Sequence, residues 1–204
     1  MIESVVVFCG SKAGLNPLFA HHAAELGKLI AVLDLKLVYG GGKVGLMGII
    51  ADSVLAHGGR VMGVIPKVLT EWEHQHEGLT ELAIVPDMHT RKKMMYDMCD
   101  AAIVMPGGFG TLDELAEVLT LIQTKKSRHV PIILVGAEFW KGLLAWFESA
   151  LVPMGLINPE DMNLMQVIDD PDQVLEAVLA FYEDREETEP QTPAKSDEDR
   201  MFYL

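Results

Sequence analysis

Residues 101–114 read Ala-Ala-Ile-Val-Met-Pro-Gly-Gly-Phe-Gly-Thr-Leu-Asp-Glu, an apolar run followed by a glycine-rich turn and a helical pattern. The apolar run 101–105 predicts a short buried strand. The glycines of the turn remove side chains where a ligand would approach, and they permit positive φ angles. We expect a helix to begin at Thr111, where backbone N–H groups and the positive end of the helix dipole would form an anion site. Glu114 would place a carboxylate beside that site.

The same alternation of strand-like and helical patterns extends along most of the chain. Strands are predicted at 4–9, 36–39, 60–65, 82–85, 101–105, 130–135 and 165–168, and helices at 17–33, 46–57, 89–99, 111–124, 138–151 and 171–184. Asn16-Pro17 and Asp170-Pro171 each offer a polar N-cap followed by proline, which marks a helix start. Short, continuous strands rich in Val and Ile are typical of a sheet that is covered on both faces. The sequence therefore predicts an α/β fold, a doubly wound open parallel sheet (Rossmann-like) of about seven strands with helices on both faces.

Composition limits the domain organisation and the classes of partner. The chain has 204 residues, 50% of them hydrophobic, which predicts a single Rossmann-like domain over residues 1–182. Residues 183–204 carry eight acidic and three basic residues, and we expect an acidic, disordered tail there. The net charge of −14 argues against a nucleic-acid partner.

Three further features concern the compartment. No apolar run approaches the roughly 18 residues that cross a bilayer, and no basic segment precedes the first strand, so neither a membrane partner nor a signal peptide is expected. The two cysteines, Cys9 and Cys99, lack metal-ligand spacing and are predicted to be reduced, buried thiols. We therefore expect a cytoplasmic protein.

The predicted carboxyl ends of the strands are rich in glycine and basic residues. Ligands of doubly wound sheets bind beyond these ends. Six of the sixteen basic residues fall at or just past them, namely Lys12, Lys43, Lys67, Arg91, Lys92 and Lys93. This pattern predicts that the rim binds a small anion. The alternative is that lysines simply follow the strands on the surface.

Gly40-Gly41-Gly42-Lys43-Val44-Gly45 has the glycine spacing of a dinucleotide site, G-x-G-x-x-G. Such a site needs an acidic residue about 20 positions further on, at the end of the next strand. The strand predicted at 60–65 ends without an acid, so a nicotinamide-dependent dehydrogenase is not favoured. A tight strand-to-helix turn remains plausible in addition to ligand contact. No Gly-Lys-Ser/Thr follows, so the segment is not a P-loop either.

Each of the remaining candidates has a purely structural alternative. Thr111 and Glu114 fit a capping box, in which the glutamate binds only the backbone at the helix start, but capping alone needs no run of glycines. Arg91 can bind a phosphate or carboxylate through two N–H groups, or it can belong to a solvated basic helix start, although cations there oppose the helix dipole. His74 and His76 could ligate a metal, but we interpret them as surface histidines and predict no metal site.

Five motifs resemble, in order and spacing, the LONELY GUY (LOG) family of cytokinin riboside 5′-monophosphate phosphoribohydrolases, long labelled "lysine decarboxylase-like". They are residues 39–42, 45–48, 63–66, 88–92 and 106–114. The resemblance covers about residues 4–182 and implies a nucleotide-binding catalytic domain. It implies a hydrolase that cleaves the N-glycosidic bond of an adenosine-type 5′-monophosphate, with or without an N6 modification, to the free base and ribose 5-phosphate. It also implies an AMP-like nucleotide as the small-molecule partner, no cofactor, and a homo-oligomer, dimer or larger.

The resemblance also assigns roles to residues. Arg91 and Glu114 would be the catalytic pair. The carboxylate would stabilise positive charge at the anomeric carbon or activate water, and the guanidinium, which keeps its proton, would act electrostatically. The implied substrate-binding residues are Gly10, Ser11, Gly41, Gly42, Glu73, Met88, Lys92, Gly107, Gly108, Phe109, Gly110, Thr111 and Thr120. No group is identified that would protonate the departing base.

The chain departs from the family pattern at several places, and the downstream Trp140, Trp146 and the acidic tail also differ from the plant members. Lys12 stands where the family often has a second serine, and residues 121–124, Leu-Ile-Gln-Thr, replace the plant-like Trp-Ala-Gln. These departures leave base preference and assembly open.

The resemblance leaves two other activities to consider. One is a non-catalytic carrier of a nucleotide or molybdenum cofactor with the same fold, which would need the glycine loops but neither Arg91 nor Glu114. Lysine decarboxylation is rejected on chemical grounds. Pyridoxal-phosphate chemistry needs a Schiff-base lysine and an acid at the pyridinium nitrogen, and no lysine is singled out for that role.

Overall fold

The computed structural model describes residues 2–69 and 75–188, and within them strands and helices alternate as predicted. The strands are β1 Ser4–Phe8, β2 Lys36–Tyr39, β3 Arg60–Pro66, β4 Glu81–Val85, β5 Ala101–Val104, β6 Ile132–Leu134 and β7 Met165–Val167. The helices are α1 Pro17–Val32, α2 Gly45–Ala56, α3 Met88–Asp97, α4 Phe109–Gln123, α5 Ala137–Trp146 and α6 Pro171–Thr188. A 3₁₀ turn, Lys67–Leu69, follows β3, a π-helical turn, Phe147–Leu151, extends α5, and a 3₁₀ segment, Pro159–Leu164, precedes β7.

The strands form one parallel sheet in the order β4-β3-β2-β1-β5-β6-β7. β1 lies at the centre of the sheet and pairs with β2 on one side and with β5 on the other. The chain adds β2, β3 and β4 on the first side, then crosses over β1 and adds β5, β6 and β7 on the second side. The fold prediction of a doubly wound parallel sheet is confirmed. The reversal of strand order places a crevice above the carboxyl ends of β1 and β5, the position where such sheets bind ligands.

The core lies on both faces of the sheet. Successive residues of β1 point to opposite faces, so that Val5 and Val7 pack on one side and Val6 and Phe8 on the other. The first face is covered by α1, α2 and α6, and the second by α3, α4 and α5. Both cysteines are buried and unpaired, as predicted, and burial raises the pKa of Cys99 to about 12.

The two helix starts predicted from a polar residue before proline are confirmed, at α1 and at α6, where Asp170 Oδ1 accepts from Asp172 N at 3.1 Å. Asn16 Oδ1 accepts from Leu18 N at 3.1 Å, and Asp87 Oδ1 accepts from Thr90 N at 2.8 Å. The start predicted for α4 at Thr111 is wrong, because the helix begins at Phe109 with Gly108 as its N-cap.

The earlier start of α4 also decides the role of Thr111. Leu112 N already donates to Gly108 O at 3.1 Å, so Thr111 is the third residue inside the helix and cannot be its cap. The capping-box alternative for Glu114 is therefore excluded.

The last helix extends further than its pattern predicted. It runs to Thr188, so residues 185–188, which lie beyond the predicted helix end and within the expected disordered tail, are helical. The rest of that predicted tail, 189–204, lies outside the described residues. Among the helices that are described, none has the length and apolar character needed to span a bilayer.

Candidate active site

A cleft of about 230 Å³ opens above the carboxyl ends of β1, β2 and β5. Its walls are Val7, Cys9, Gly10, Ser11, Gly40, Met47, Leu69, Met88, Arg91, Gly108, Phe109, Gly110, Thr111 and Glu114. The cleft thus brings together the predicted catalytic pair, Arg91 and Glu114, and seven of the predicted binding residues from two loops and two helices. Of the six basic residues named in the rim prediction, Arg91 is the one that lines this cleft.

One wall of the cleft is the first turn of α4. The N–H groups at the start of a helix have no partner within the helix, and they present partial positive charge. Two of the residues in this turn have no side chain to obstruct a ligand. A Cβ added to Gly108 or Gly110 would meet nothing within 4 Å, so packing within the described chain does not require glycine at either position.

Gly107, by contrast, is required by packing. A Cβ at this position would lie 2.0 Å from Thr111 Oγ1 and 3.1 Å from Gly10 N. The loops after β1 and β5 also contact each other through the main chain, because Gly10 N donates to Pro106 O at 3.1 Å. Gly107 therefore supports the cleft from behind and is not among the residues that line it.

Arg91 forms the opposite wall, and the structure buries its guanidinium. The residue is 4% exposed and lies in the first turn of α3. Its Nε donates to Val64 O within β3 at 3.1 Å, and its Nη2 donates to Gly40 O just after β2 at 2.9 Å. A Cβ at Gly40 would lie 2.0 Å from Nη2, so glycine leaves the room that the guanidinium occupies. Main-chain carbonyls therefore fix a permanent positive charge at the cleft.

Glu114 is the sixth residue of α4 and lies on the side of the helix that faces the cleft. Its charge and that of Arg91 both act on the thiol of Cys9. Burial raises the pKa of Cys9 and Glu114 raises it further, whereas Arg91 opposes the shift. Cys9 is consequently a neutral thiol at physiological pH and is not an activated nucleophile. A carboxylate and a guanidinium thus act on the same small volume beside a helix N-terminus.

Lys92 and Thr120 were predicted to contact the nucleotide, and the structure places neither in the cleft wall. The Nζ of Lys92 is 2.9 Å from Asp113 Oδ2 and 2.8 Å from Glu117 Oε2. Thr120 is exposed on α4, and its Oγ1 donates to Ala116 O at 2.7 Å.

Gly41 and Gly42, also predicted to bind substrate, are buried in the turn behind the cleft wall. Gly41 has φ +79°, which favours glycine, and its carbonyl accepts from His76 N at 3.0 Å. Gly42 forms an isolated antiparallel bridge with Gln75, and its carbonyl accepts from Tyr39 Oη at 3.1 Å. These contacts shape the loop after β2.

The surface interpretation of His76 is wrong, because the residue is 6% exposed. Gly78 N donates to His76 Nδ1 at 3.0 Å, so Nε2 carries the proton and donates to Asp52 Oδ1 at 3.0 Å. Glu73 and His74 lie outside the described residues. Among the residues that are described, no three His, Cys, Asp or Glu side chains are grouped to hold a metal ion.

Several residues of the cleft wall were not predicted. Cys9 and Gly40 immediately precede predicted residues, and their positions at strand ends could have identified them. Met47 lies within the motif 45–48, although no role was assigned to it. Leu69 carried no signal, because an apolar residue near a strand end is equally expected in the core.

Comparison with known proteins agrees with the motif pattern. Residues 47–178 match the family model described as "Possible lysine decarboxylase". The chain is 41% identical over 177 residues to the cytokinin riboside 5′-monophosphate phosphoribohydrolase of Rhodococcoides fascians, covering 86% of this chain and 89% of the relative. It is 43% identical over 158 residues to LOG7, the enzyme of the same name from Arabidopsis thaliana, covering 77% and 72%. The chain belongs to the LOG family.

Solved structures show how widely the fold of this LOG-family chain is shared. The molybdenum cofactor binding protein from Rippkaea orientalis superimposes with a TM-score of 0.65 at 20% identity, covering 89% of this chain and 98% of the other. The Moco carrier protein of Chlamydomonas reinhardtii gives 0.66 at 19% identity, covering 90% and 99%. At these identities the likeness concerns the fold alone.

Proposed function

We propose that this LOG-family chain is a phosphoribohydrolase that cleaves the N-glycosidic bond of adenosine-type nucleoside 5′-monophosphates, including N6-modified ones, to the free base and ribose 5-phosphate. The observation that carries the proposal is the cleft in which Arg91, Glu114 and the start of α4 meet. Relatives at 41% and 43% identity bear the name of this activity. The proposal includes no cofactor, a cytoplasmic location and a homo-oligomer, dimer or larger.

The start of α4 suits the phosphate of such a substrate. Main-chain N–H groups at a helix N-terminus bind phosphate through hydrogen bonds and the helix dipole. With the phosphate at residues 108–111, the sugar would extend along the helix toward Glu114, about one turn further on. The spacing therefore matches a 5′-phosphorylated sugar whose anomeric carbon lies near the carboxylate.

Glu114 would then act where the bond breaks. Cleavage at an anomeric carbon passes through an oxocarbenium-like state, and an adjacent carboxylate stabilises its positive charge and orients or deprotonates the attacking water. The C1′–N bond breaks with its electrons on the base, water supplies the hydroxyl group of ribose 5-phosphate, and the proton that the water loses ends on the departing base. Arg91 would hold the substrate by charge, since the guanidinium does not release a proton.

The direct test is a panel of substrates with base release followed by chromatography. We expect adenine, or an N6-modified adenine, to be released from the 5′-monophosphate and not from the matching nucleoside, because only the monophosphate can bind the start of α4. A protein that purifies with a bound ligand and releases no base from any monophosphate would be a carrier, and the proposal would be wrong. Carbon dioxide release from lysine with added pyridoxal phosphate would restore the decarboxylase assignment.

The glycines of α4 offer a second test, because Gly110 has no packing role among the described residues. Alanine in a helix is favoured over glycine by about 1 kcal/mol, so Gly110→Ala is expected to keep or raise the melting temperature. If a ligand approaches this backbone, the added methyl group will raise KM for the monophosphate severalfold. Gly142→Ala in α5, where a Cβ also meets nothing within 4 Å, is the control and should leave KM unchanged. An unchanged KM in Gly110→Ala would place the phosphate elsewhere.

A further inference from the structure

Lys92 joins two helices next to the catalytic pair. It follows Arg91 on α3, and its side chain is 11% exposed. Its ammonium group lies 2.9 Å from Asp113 and 2.8 Å from Glu117, which are one turn apart on α4. Glu114 lies between those two acids in the sequence. One lysine therefore connects the segment that carries Arg91 to the segment that carries Glu114.

The neighbouring ion pair, formed by Lys93, is more exposed and does not connect two helices. Lys93 is 75% exposed and pairs with Asp97 on its own helix. Exposed pairs within a helix contribute little, about 0.3–0.5 kcal/mol. Within the described residues, Glu117 Oε2 is a buried oxygen without a regular hydrogen bond, and the ion pair with Lys92 is what compensates its burial. Asp113 and Glu117 keep 56% and 35% of their side-chain surface exposed, so the constraint acts through the mostly buried ammonium group, which would lose its counter-charges if both acids were removed.

We propose that Lys92 is a positioning residue, which ties α3 to α4 through Asp113 and Glu117 and so fixes Arg91 relative to Glu114 across the cleft. This inference rests on the proposed function, since it concerns the geometry of the same catalytic pair. It differs from the role that the family resemblance implies, in which Lys92 contacts the nucleotide. In the structure the ammonium group is directed to α4, and Lys92 lines not the cleft but an adjoining pocket of about 290 Å³ that shares Glu114 with it.

This tie, the ion pairs of Lys92 with Asp113 and Glu117, is present over the whole physiological pH range. Burial lowers the pKa of Lys92, but the interactions with Glu117 and Asp113 outweigh this effect and the pKa is raised. A lysine whose pKa is raised on folding contributes stability below its unfolded pKa and loses that contribution only as the pH rises through the folded value. We therefore expect no loss of activity from deprotonation of Lys92 as the pH rises through the neutral range.

The test removes the tie from either end. Lys92→Met deletes the charge and keeps the length of the side chain, whereas the double variant Asp113→Asn, Glu117→Gln keeps Lys92 and deletes its partners. A displacement of about 1 Å can cost up to 100-fold in rate, so both variants are expected to lower kcat by roughly 10- to 100-fold while KM changes less than about twofold. The triple variant should be no worse than either, because the three residues act as one unit. Lys141→Met in α5, where the lysine is 72% exposed and pairs with Glu138 on its own helix, is the matched control and should behave as the wild type.

A phosphate contact would give the opposite pattern. KM for the monophosphate would rise in Lys92→Met with kcat retained, the double variant would be unaffected, and the inference would be overturned. Unchanged kinetics in both variants would overturn it as well. Lys92→Arg retains the charge and both acceptors, so recovery of kcat supports the tie even where Lys92→Met folds poorly.

A readout without turnover separates this inference from the proposed function. Amide hydrogen exchange in α3 and in the first turns of α4 should accelerate in Lys92→Met and in the double variant, and not in Lys141→Met. The affinity for ribose 5-phosphate, measured by calorimetry, should be the same in wild type and Lys92→Met. If hydrogen exchange in Lys92→Met is unchanged and ribose 5-phosphate binding is lost, Lys92 is not a positioning residue. If the wild-type protein releases no base, the proposed function alone is contradicted.

Discussion

Glu114→Gln is expected to lower kcat for base release by about 10²- to 10⁴-fold, the range typical of removing a general base. Glutamine keeps the size and the polar contacts of the side chain but carries no charge to stabilise an oxocarbenium-like state, and it cannot accept a proton from water. Because Glu114 lies on the cleft side of α4 and makes no contribution to a capping box, the fold should be unaffected. The measurement is kcat and KM for adenosine 5′-monophosphate, with the melting temperature as the check on folding.

A matched control for this variant is Glu176→Gln, at an exposed position of α6. Its kinetics should equal those of the wild type. If Glu114→Gln turned over normally, the carboxylate would have no catalytic role and the site would have to be sought elsewhere. If KM rose with kcat intact, Glu114 would bind substrate without acting on the bond.

Replacement of Arg91 should affect both activity and stability. Arg91→Ala leaves the carbonyl oxygens of Gly40 and Val64 without their donors, at a cost of about 1–3 kcal/mol for each buried unsatisfied group. Loss of the positive charge should also lower kcat by about 10²- to 10³-fold, as for other preorganised electrostatic groups. Denaturant unfolding measures the first effect, and steady-state base release measures the second.

Arg91→Lys separates the charge from the geometry. Lysine retains the positive charge, but its single ammonium group cannot reproduce two donors directed at the carbonyl oxygens of Gly40 and Val64. We expect intermediate stability and a kcat close to that of Arg91→Ala. Wild-type kcat in Arg91→Lys would show that charge alone is required, and wild-type kcat in Arg91→Ala would remove Arg91 from the mechanism.

The fold could be predicted from sequence because its signals are local. Alternation of apolar runs and helical patterns decides between strand and helix, and a polar residue before proline fixes the start of α1 and of α6. Parallel pairing follows from the alternation itself. The cleft could be predicted in outline for the same reason, since the carboxyl ends of parallel strands meet at one edge.

Features that depend on distant contacts could not be predicted. The pattern Thr-x-x-Glu permits a helix to begin at Thr111, and only the extended backbone of Gly108 shows that α4 begins earlier. His76 is buried because its segment pairs with Gly42, more than 30 positions away in the sequence. Lys92 contacts α4 across the gap between two helices. In the sequence, its position directly after Arg91 does not distinguish it from a lysine that binds a ligand.

The first turn of α4 has a consequence for genetic studies of this site. Its donors are amide groups of the polypeptide itself, and nineteen of the twenty amino acids supply the same amide. An alanine scan will therefore report on the carboxylate and the guanidinium while leaving the donors of this turn in place. Proline alone deletes one of them, and helices accept proline best at the position held by Phe109. In natural variation, too, this part of the site can persist while the side chains around it diverge.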